Sequence, residues 1–587
     1  MKKYISLFLC LTMGLSLLVG CGSNTTNQPK KDDISENETP AIEDADVVVN
    51  DYISPFVTLA EVDGIQIELS DTEVLVDGVS ASNDESQAIY VANDIIYYEA
   101  GHDFTYGEGA ESDAHSKEEA DKHLVVHITQ PGNYIVSGTL SAGQIAIDLG
   151  KESKEDPNAI VNLYLNGVNI TSTVAPAVIF YNVYEPFNDV DETTATKDVD
   201  TSMAGANVYI VDNTENNVTG SHVARIYKPD SVVLSEDGTT VEDAKKLHKY
   251  DAAFYSKVTM NINGGVKEGG ILNIKADNEG LDTEMHLTIN GGFINIESGN
   301  DGINTNEDGI SVTTINDGKL TILVNGSTGE GDGIDSNGWL VINGGVVISQ
   351  ACGFSMDSGI DSDMGIHING GYVIATGNML DRISESNQTY VVLSFNESLG
   401  EGRYSLKDSS GIPIVEVAIT NSFTNLIFSS RNLVEGDYTF WFNDTQLVGA
   451  MGENGMMGGR PDFQIDGIPN GEMPEGMTPP DGFNGDGMRN PNGERPEGEV
   501  PNNEKPDGFD PNMRPNQDGS TPPDDFKINE DGTITLPDGT VVDPSEMGDR
   551  GQFKGQGEFS GNMPMELSEI FTIKVGENYF SSISVKG

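Results

Sequence analysis

The sequence predicts an all-β chain: a β-solenoid followed by a small β module that carries a long disordered insertion. Three observations predict it. A phrase built on Ile-Asn-Gly-Gly recurs at 261–265, 288–292, 314–318, 341–345 and 367–371, with its asparagine at 263, 290, 316, 343 and 369, in steps of 27, 26, 27 and 26. That period is one coil of two or three short strands, repeated. A second phrase, "EGLDTE" 279–284, "DGINTN" 301–306, "DGIDSN" 332–337 and "SGIDSD" 358–363, recurs between copies of the first. From residue 51 the chain is otherwise written in short Val-, Ile- and Tyr-rich runs bounded by Gly, Asn and Asp, with one short helical pattern at 117–125, "KEEADKHLV".

Taken in order, residues 1–20 read as a signal peptide, with two lysines, an apolar run and small residues before Cys21. "LVGC" resembles the lipobox of bacterial lipoproteins, which implies cleavage before Cys21 and lipid attachment to its sulfur. The expected location is the extracellular face of the bacterial cell membrane, reached through that lipid only. Residues 21–50 are polar and acidic and read as a flexible tether. The solenoid is placed at 51–383, and the small β module at 384–447 and 567–587. Residues 448–566 hold 16 of the 25 prolines and 10 of the 18 methionines, too little apolar surface to offset ordering, and are assigned as a disordered insertion. After Cys10 and Cys21 only Cys352 remains, so no internal disulfide is available. Rigidity must come from repetition, metal ions or both.

Stacked coils turn each repeated position into a column with rungs about 4.8 Å apart. Ile262, Ile289, Ile315, Ile342 and Ile368 form an inward aliphatic stack. Asn261, Thr288, Thr314, Val341 and His367 are expected to face outward. Asn263, Asn290, Asn316, Asn343 and Asn369 form a structural asparagine ladder, and the glycines after them make the corners. "YLNGVNI" at 164–170 reads as a degenerate earlier member of the repeat.

The second phrase gives a different set. Its third column, Leu281, Ile303, Ile334 and Ile360, points inward. The first column is Glu279, Asp301, Asp332 and Ser358; the fourth is Asp282, Asn304, Asp335 and Asp361; the sixth is Glu284, Asn306, Asn337 and Asp363. The fourth and sixth share the outward face. Unit charges about 4 Å apart repel by about 4 kcal/mol at an effective dielectric of 20, so stacked carboxylates call for a bridging cation. Carboxylates mixed with amide oxygens suit calcium, which takes 6–8 oxygen ligands. The candidate metal ligands are Asp282, Glu284, Asp301, Asn304, Asp332, Asp335, Asp361 and Asp363. A solvated acidic face would scatter its acids; these recur in columns. With 94 acids against 32 Lys plus Arg, a net charge of −62, nucleic acid is excluded as a partner.

The "INGG" and "DGI(D/N)" coils at 258–381, with "GNYIVSGTLSAGQIAIDL" and "LYLNGVNITS" before them, resemble the carbohydrate-binding domain family of pectate-lyase-like parallel β-helices from clostridial surface proteins, over roughly residues 60–381. The resemblance implies a right-handed parallel β-helix that contains calcium and binds cellulose or polygalacturonate without established catalysis. Calcium held by the protein would also ligate uronate carboxylates, and Trp339 and Tyr372 are the candidate sugar-stacking rings. Two other readings stand beside this one. A polysaccharide lyase or polygalacturonase-like enzyme would need a strong base or an aspartate pair. Residues 258–381 hold 17 acids, three lysines and no arginine, so no catalytic residue is assigned. A structural or adhesive surface protein would use calcium as a stiffener.

Overall fold

The computed structural model describes residues 57–265, 269–451 and 567–586, together with the two-residue strands Lys527–Ile528, Ile534–Thr535 and Val541–Val542. The signal segment, Cys21 and the tether lie outside the described residues, as does most of 448–566. Among the described residues no helix is long and apolar enough to cross a membrane.

The chain is all-β, in mixed sheets. Three runs of parallel pairing dominate the repeat region. The first joins Ala206–Ile210, Met260–Gly264, Leu287–Ile289, Val312–Ile315, Trp339–Ile342, Gly365–Ile368 and Ile383–Ser386. The second joins Glu215–Gly220, Ile271–Ala276, Phe293–Ser298, Lys319–Val324, Val346–Gln350 and Tyr372–Gly377. The third joins Val178–Asn182, Ala252–Ser256, Glu279–Thr283, Ile303–Thr305 and Ile334–Ser336. In each run the period read from the sequence is the pairing register: Ile262 sits against Ile289, Ile289 against Ile315, Ile315 against Ile342, and Ile342 against Ile368.

Both inward stacks are dry. The five isoleucines from Ile262 to Ile368, and Leu281, Ile303, Ile334 and Ile360, are all at most 1% exposed and belong to one core. Burying such side chains stabilises each rung by about 1.5–3 kcal/mol. Gly318, Gly345 and Gly371 turn the corners at φ of 99°, 77° and 89°, and a Cβ at Gly318 would meet the Gly292 carbonyl at 2.6 Å. Corner space and positive φ both require glycine there.

The asparagine ladder is continuous. Asn290 Nδ2 donates to Asn263 Oδ1 at 3.0 Å, and Asn316, Asn343 and Asn369 each donate to the rung before at 2.8 Å. Asn387 adds a further rung at 2.9 Å. A second amide ladder, Asn169–Asn217–Asn273–Asn295, has no repeated phrase to announce it.

Three expectations are refined. The row Asn261, Thr288, Thr314, Val341 and His367 is buried, at most 9% exposed. Part of its cover is the turn Thr201–Met203: Thr201 Oγ1 lies 2.7 Å from Asn261 Oδ1 and 2.8 Å from Thr288 Oγ1, and Asn261 Nδ2 donates to the Thr201 carbonyl. The helical pattern at 117–125 shrinks to Lys117–Ala120, capped by Ser116, because Leu124–Ile128 is drawn into a sheet. "YLNGVNI" lies within one continuous strand, Val161–Thr171, which pairs with both Ala206–Ile210 and Glu215–Gly220 and carries a bulge at Gly167, at φ of 80°.

At the C-terminal end parallel stacking gives way to antiparallel pairing. Phe423–Ser430 lies antiparallel on both Tyr372–Gly377 and Tyr390–Leu399, while Glu577–Val585 pairs parallel with Tyr390–Leu399. These strands share a second core that includes Phe423, Phe428, Phe440 and Phe571. Thr445–Met451 also pairs with Glu577–Val585, so this module extends past residue 447.

Candidate functional site

The outward face of the third run carries the acid columns. Asp282 pairs in register with Asn304, and Asn304 with Asp335. Asp361 continues the row, its amide donating to the Ile334 carbonyl at 2.7 Å. Alternation holds within each rung: Leu281 and Thr283 are buried inward, as are Ile303 and Thr305, and Ile334 and Ser336.

The columns do not stand as independent rows. Side chains of one column meet a different column of the next coil. Asn304 Nδ2 donates to Glu279 Oε1 at 3.3 Å, and Asn306 Nδ2 donates to Asp282 Oδ1 at 2.6 Å. Backbone amides help: the Asp332 amide donates to Asp301 Oδ1 at 2.7 Å, and the Ser358 amide to Asp332 Oδ1 at 2.5 Å. These donors do not satisfy every oxygen. Glu279 Oε2, Asp282 Oδ2 and Asn304 Oδ1 are buried without a hydrogen-bond partner, and Asp282 is fully inaccessible. Unpartnered buried acceptors are costly, on the order of 1–3 kcal/mol each.

The electrostatics say the same. Burial and neighbouring acids hold Glu279, Asp282 and Asp301 well above the usual carboxylate range. For Asp282 those neighbours are Asp251 and Glu284; for Asp301 they are Glu279 and Asp335. Asp332 is pushed up to about 10 by burial and by Asp301, Asp335 and Asp361. Asp381, after the last rung, is raised to about 7 by burial and Asp361. Glu284 differs: burial pushes it up, but Lys246, the Tyr255 hydroxyl and Lys257 together hold it below the usual range.

Of the residues expected to bind metal, Asp282, Asn304, Asp335 and Asp361 share one row, with Asp301 and Asp332 beside them. Glu284 sits toward the lysine-bearing end, and Asp363 is exposed. Three contributors lay outside the expected set: Glu279, Asp251 and Asp381. Glu279 stands in the aligned first column, whereas Asp251 and Asp381 precede and follow the repeated phrase. Among the described residues no group of three or more His, Cys, Asp and Glu side chains is gathered as a metal site; carboxylates here are joined by amide oxygens. The donor set is hard oxygen throughout and its buried oxygens lack partners, which fits a cation such as calcium.

The two aromatic residues part company. Trp339 is half-buried just past this face, with the Ser336 hydroxyl donating to its carbonyl at 3.0 Å. Tyr372 lies in the second run, half-buried against the core of the C-terminal module and edge-on to Phe428 at 5.3 Å, so it stands away from this face. Phe354, 69% exposed, lies in the loop leading to the Asp357 and Ser358 rung and carried no repeat signal.

Residues 122–392 match the model of the family described as "Carbohydrate-binding domain-containing protein". The match contains every acid rung and all the asparagine rungs. A protein of Acetivibrio thermocellus with that same description is 29% identical over 153 residues, 26% of this chain and 43% of that protein. The chain thus spans less than half the length of this curated relative. The solved structure of a polysaccharide lyase-like protein from C. thermocellum, a gadolinium derivative, aligns with 18% identity over 55% of this chain and 93% of that one, at a TM-score of 0.27.

Proposed function

We propose that this protein is a cell-surface lipoprotein, anchored through Cys21, whose coils form a right-handed parallel β-helix that binds plant-type polysaccharide, pectin, polygalacturonate or cellulose, with calcium held by the acid columns. One observation carries the calcium reading: the unpartnered buried oxygens of Glu279, Asp282 and Asn304, in a row that also raises Asp301 and Asp332. A divalent ion supplies what carboxylates stacked on carboxylates lack. The family match supports the polysaccharide.

Position along the row divides the work. Asp282 is sealed, so an ion there stiffens the coils and meets no glycan. Asn304, Asp335 and Asp361 are partly open, so an ion among them can also take an oxygen from a uronate. This keeps the stiffening reading alive at one end of the row and the binding reading at the other.

Sedimentation with insoluble pectate, cellulose and xylan, with calcium or with chelator, tests the function. The expected result is retention that chelator weakens for pectate. Absence of chelator-sensitive retention on any of them, with calcium still raising the melting temperature, leaves the stiffening role alone.

A further inference from the structure

The face that carries the acid columns changes character at its other end. Tracing the fourth column back from Asp282, the register gives Tyr255 and then Ile179. Tracing the sixth column back from Glu284 gives Lys257, whose amide donates to the Phe180 carbonyl, and then Tyr181. Three ammonium groups converge there from distant parts of the chain. Lys257 follows the strand Ala252–Ser256. Lys154 reaches in from the turn Lys151–Glu155, its Nζ donating to the Lys257 carbonyl at 3.4 Å. Lys246, on the strand Lys246–Tyr250, pairs with Glu284 at 3.4 Å.

All three lysines are half-buried. Lys257 itself forms no ion pair among the described residues. In a chain with 94 acids and 32 Lys plus Arg, three lysines drawn together around one ion-paired glutamate are poorly neutralised. The Lys257 ammonium is accordingly held below the usual lysine range, by burial and by Lys154 and Lys246, with Glu284 pulling the other way. Packed like charges favour capture of an anion, and a partly desolvated ammonium pairs with carboxylate more strongly than an exposed one. Aromatic rings stand alongside: Tyr181 and Tyr250 meet edge to face at 5.5 Å, and Tyr250 shares a 2.8 Å hydrogen bond with His248.

We propose that Lys154, Lys246 and Lys257 form a metal-free subsite for the carboxylate of an acidic sugar, at the end of the face opposite to Asp335 and Asp361. The subsite rests on the reading of this face as glycan-binding and refines it. Lys257 and Asp361 are four rungs apart, roughly 19 Å at about 4.8 Å per rung. One oligosaccharide can therefore meet lysine at one end and calcium at the other, which gives the bound chain a direction.

Calorimetry of the full chain with an oligogalacturonate, in calcium and in chelator, tests this. The expected result is a weaker, salt-sensitive binding that survives chelation and is absent with the fully methyl-esterified oligomer. Lys257→Met and Lys154→Met should each weaken that chelator-resistant binding at least fivefold while leaving calcium affinity unchanged; Lys154 lies in the turn Lys151–Glu155, outside the stacked strands, so its variant folds even where Lys257→Met does not. Binding seen only with calcium overturns the subsite and leaves the calcium reading standing. Equal binding of the esterified oligomer, or unchanged affinity in both variants, also overturns it. No binding in either condition removes the glycan reading and the subsite together.

Discussion

The asparagine ladder and the acid columns are built on the same rungs, yet they are opposite kinds of structure. An amide has both a donor and an acceptor, so Asn316 gives a hydrogen bond to Asn290 and takes one from Asn343. Each added coil satisfies the one before. A carboxylate only accepts, so repeating it leaves Glu279 Oε2 and Asp282 Oδ2 without partners and raises both carboxyls. Stacking alone completes the first column. The second is completed only by protons or by a cation.

The comparison can be broken at its strongest point by mixing the chemistries. Asn316→Asp removes the donor to Asn290 and places a charge among amides. It should destabilise the chain by about 3 kcal/mol, equally with and without calcium, in urea unfolding. A loss that calcium rescues would mean the two ladders are interchangeable.

pH separates them next. Asp332 and Asp381 have folded values of about 10 and about 7, above the unfolded value near 4. A raised folded value contributes stability that is fully present below about pH 4 and is lost as pH climbs toward the folded value. In chelator, unfolding stability should therefore fall by about 1 kcal/mol per pH unit for each such carboxyl between pH 5 and 7, and calcium should flatten that slope. A chelated chain whose stability rises over that range contradicts the raised values.

A smaller effect sharpens the contrast from within the acid row. Glu279→Gln with Asp282→Asn turns two sealed acids into amides. In chelator at pH 8 the variant should be more stable than the parent by about 1–2 kcal/mol, and calcium should add less to it; urea unfolding measures both. The least change in stability is expected from Asp335→Ala with Asp361→Ala at the open end. Unfolding in chelator should shift by no more than about 0.5 kcal/mol, because the aliphatic stack is untouched, while calcium affinity falls at least tenfold. Unchanged affinity places the ion elsewhere.

Much of this was legible in the sequence because the repeat fixes the register. Ile262 to Ile368, Asn263 to Asn369 and the Asp282–Asn304–Asp335 row needed only alignment. What escaped depends on lateral or long-range packing. The lean of Glu279 onto Asn304 is a contact between columns that spacing within one column does not encode. Asn261 and Thr288 were expected to face outward, and nothing local announces that Thr201 will cover them. Tyr372 occupies a regular outward position, but Phe423–Ser430 returns to pack there. Lys154, Lys246 and Lys257 meet only because a turn and a hairpin fold back onto one face.

The central claim is that the acid columns exchange protons for a cation. Calcium titration by calorimetry at pH 6.5, in two buffers of different ionisation enthalpy, tests it directly. The account predicts binding whose apparent heat differs between buffers, because carboxyls such as Asp332 and Asp381 release protons as the ion enters, and a smaller difference in Asp332→Asn with Asp335→Asn. Absence of calcium binding, or binding with the same heat in both buffers, would contradict it.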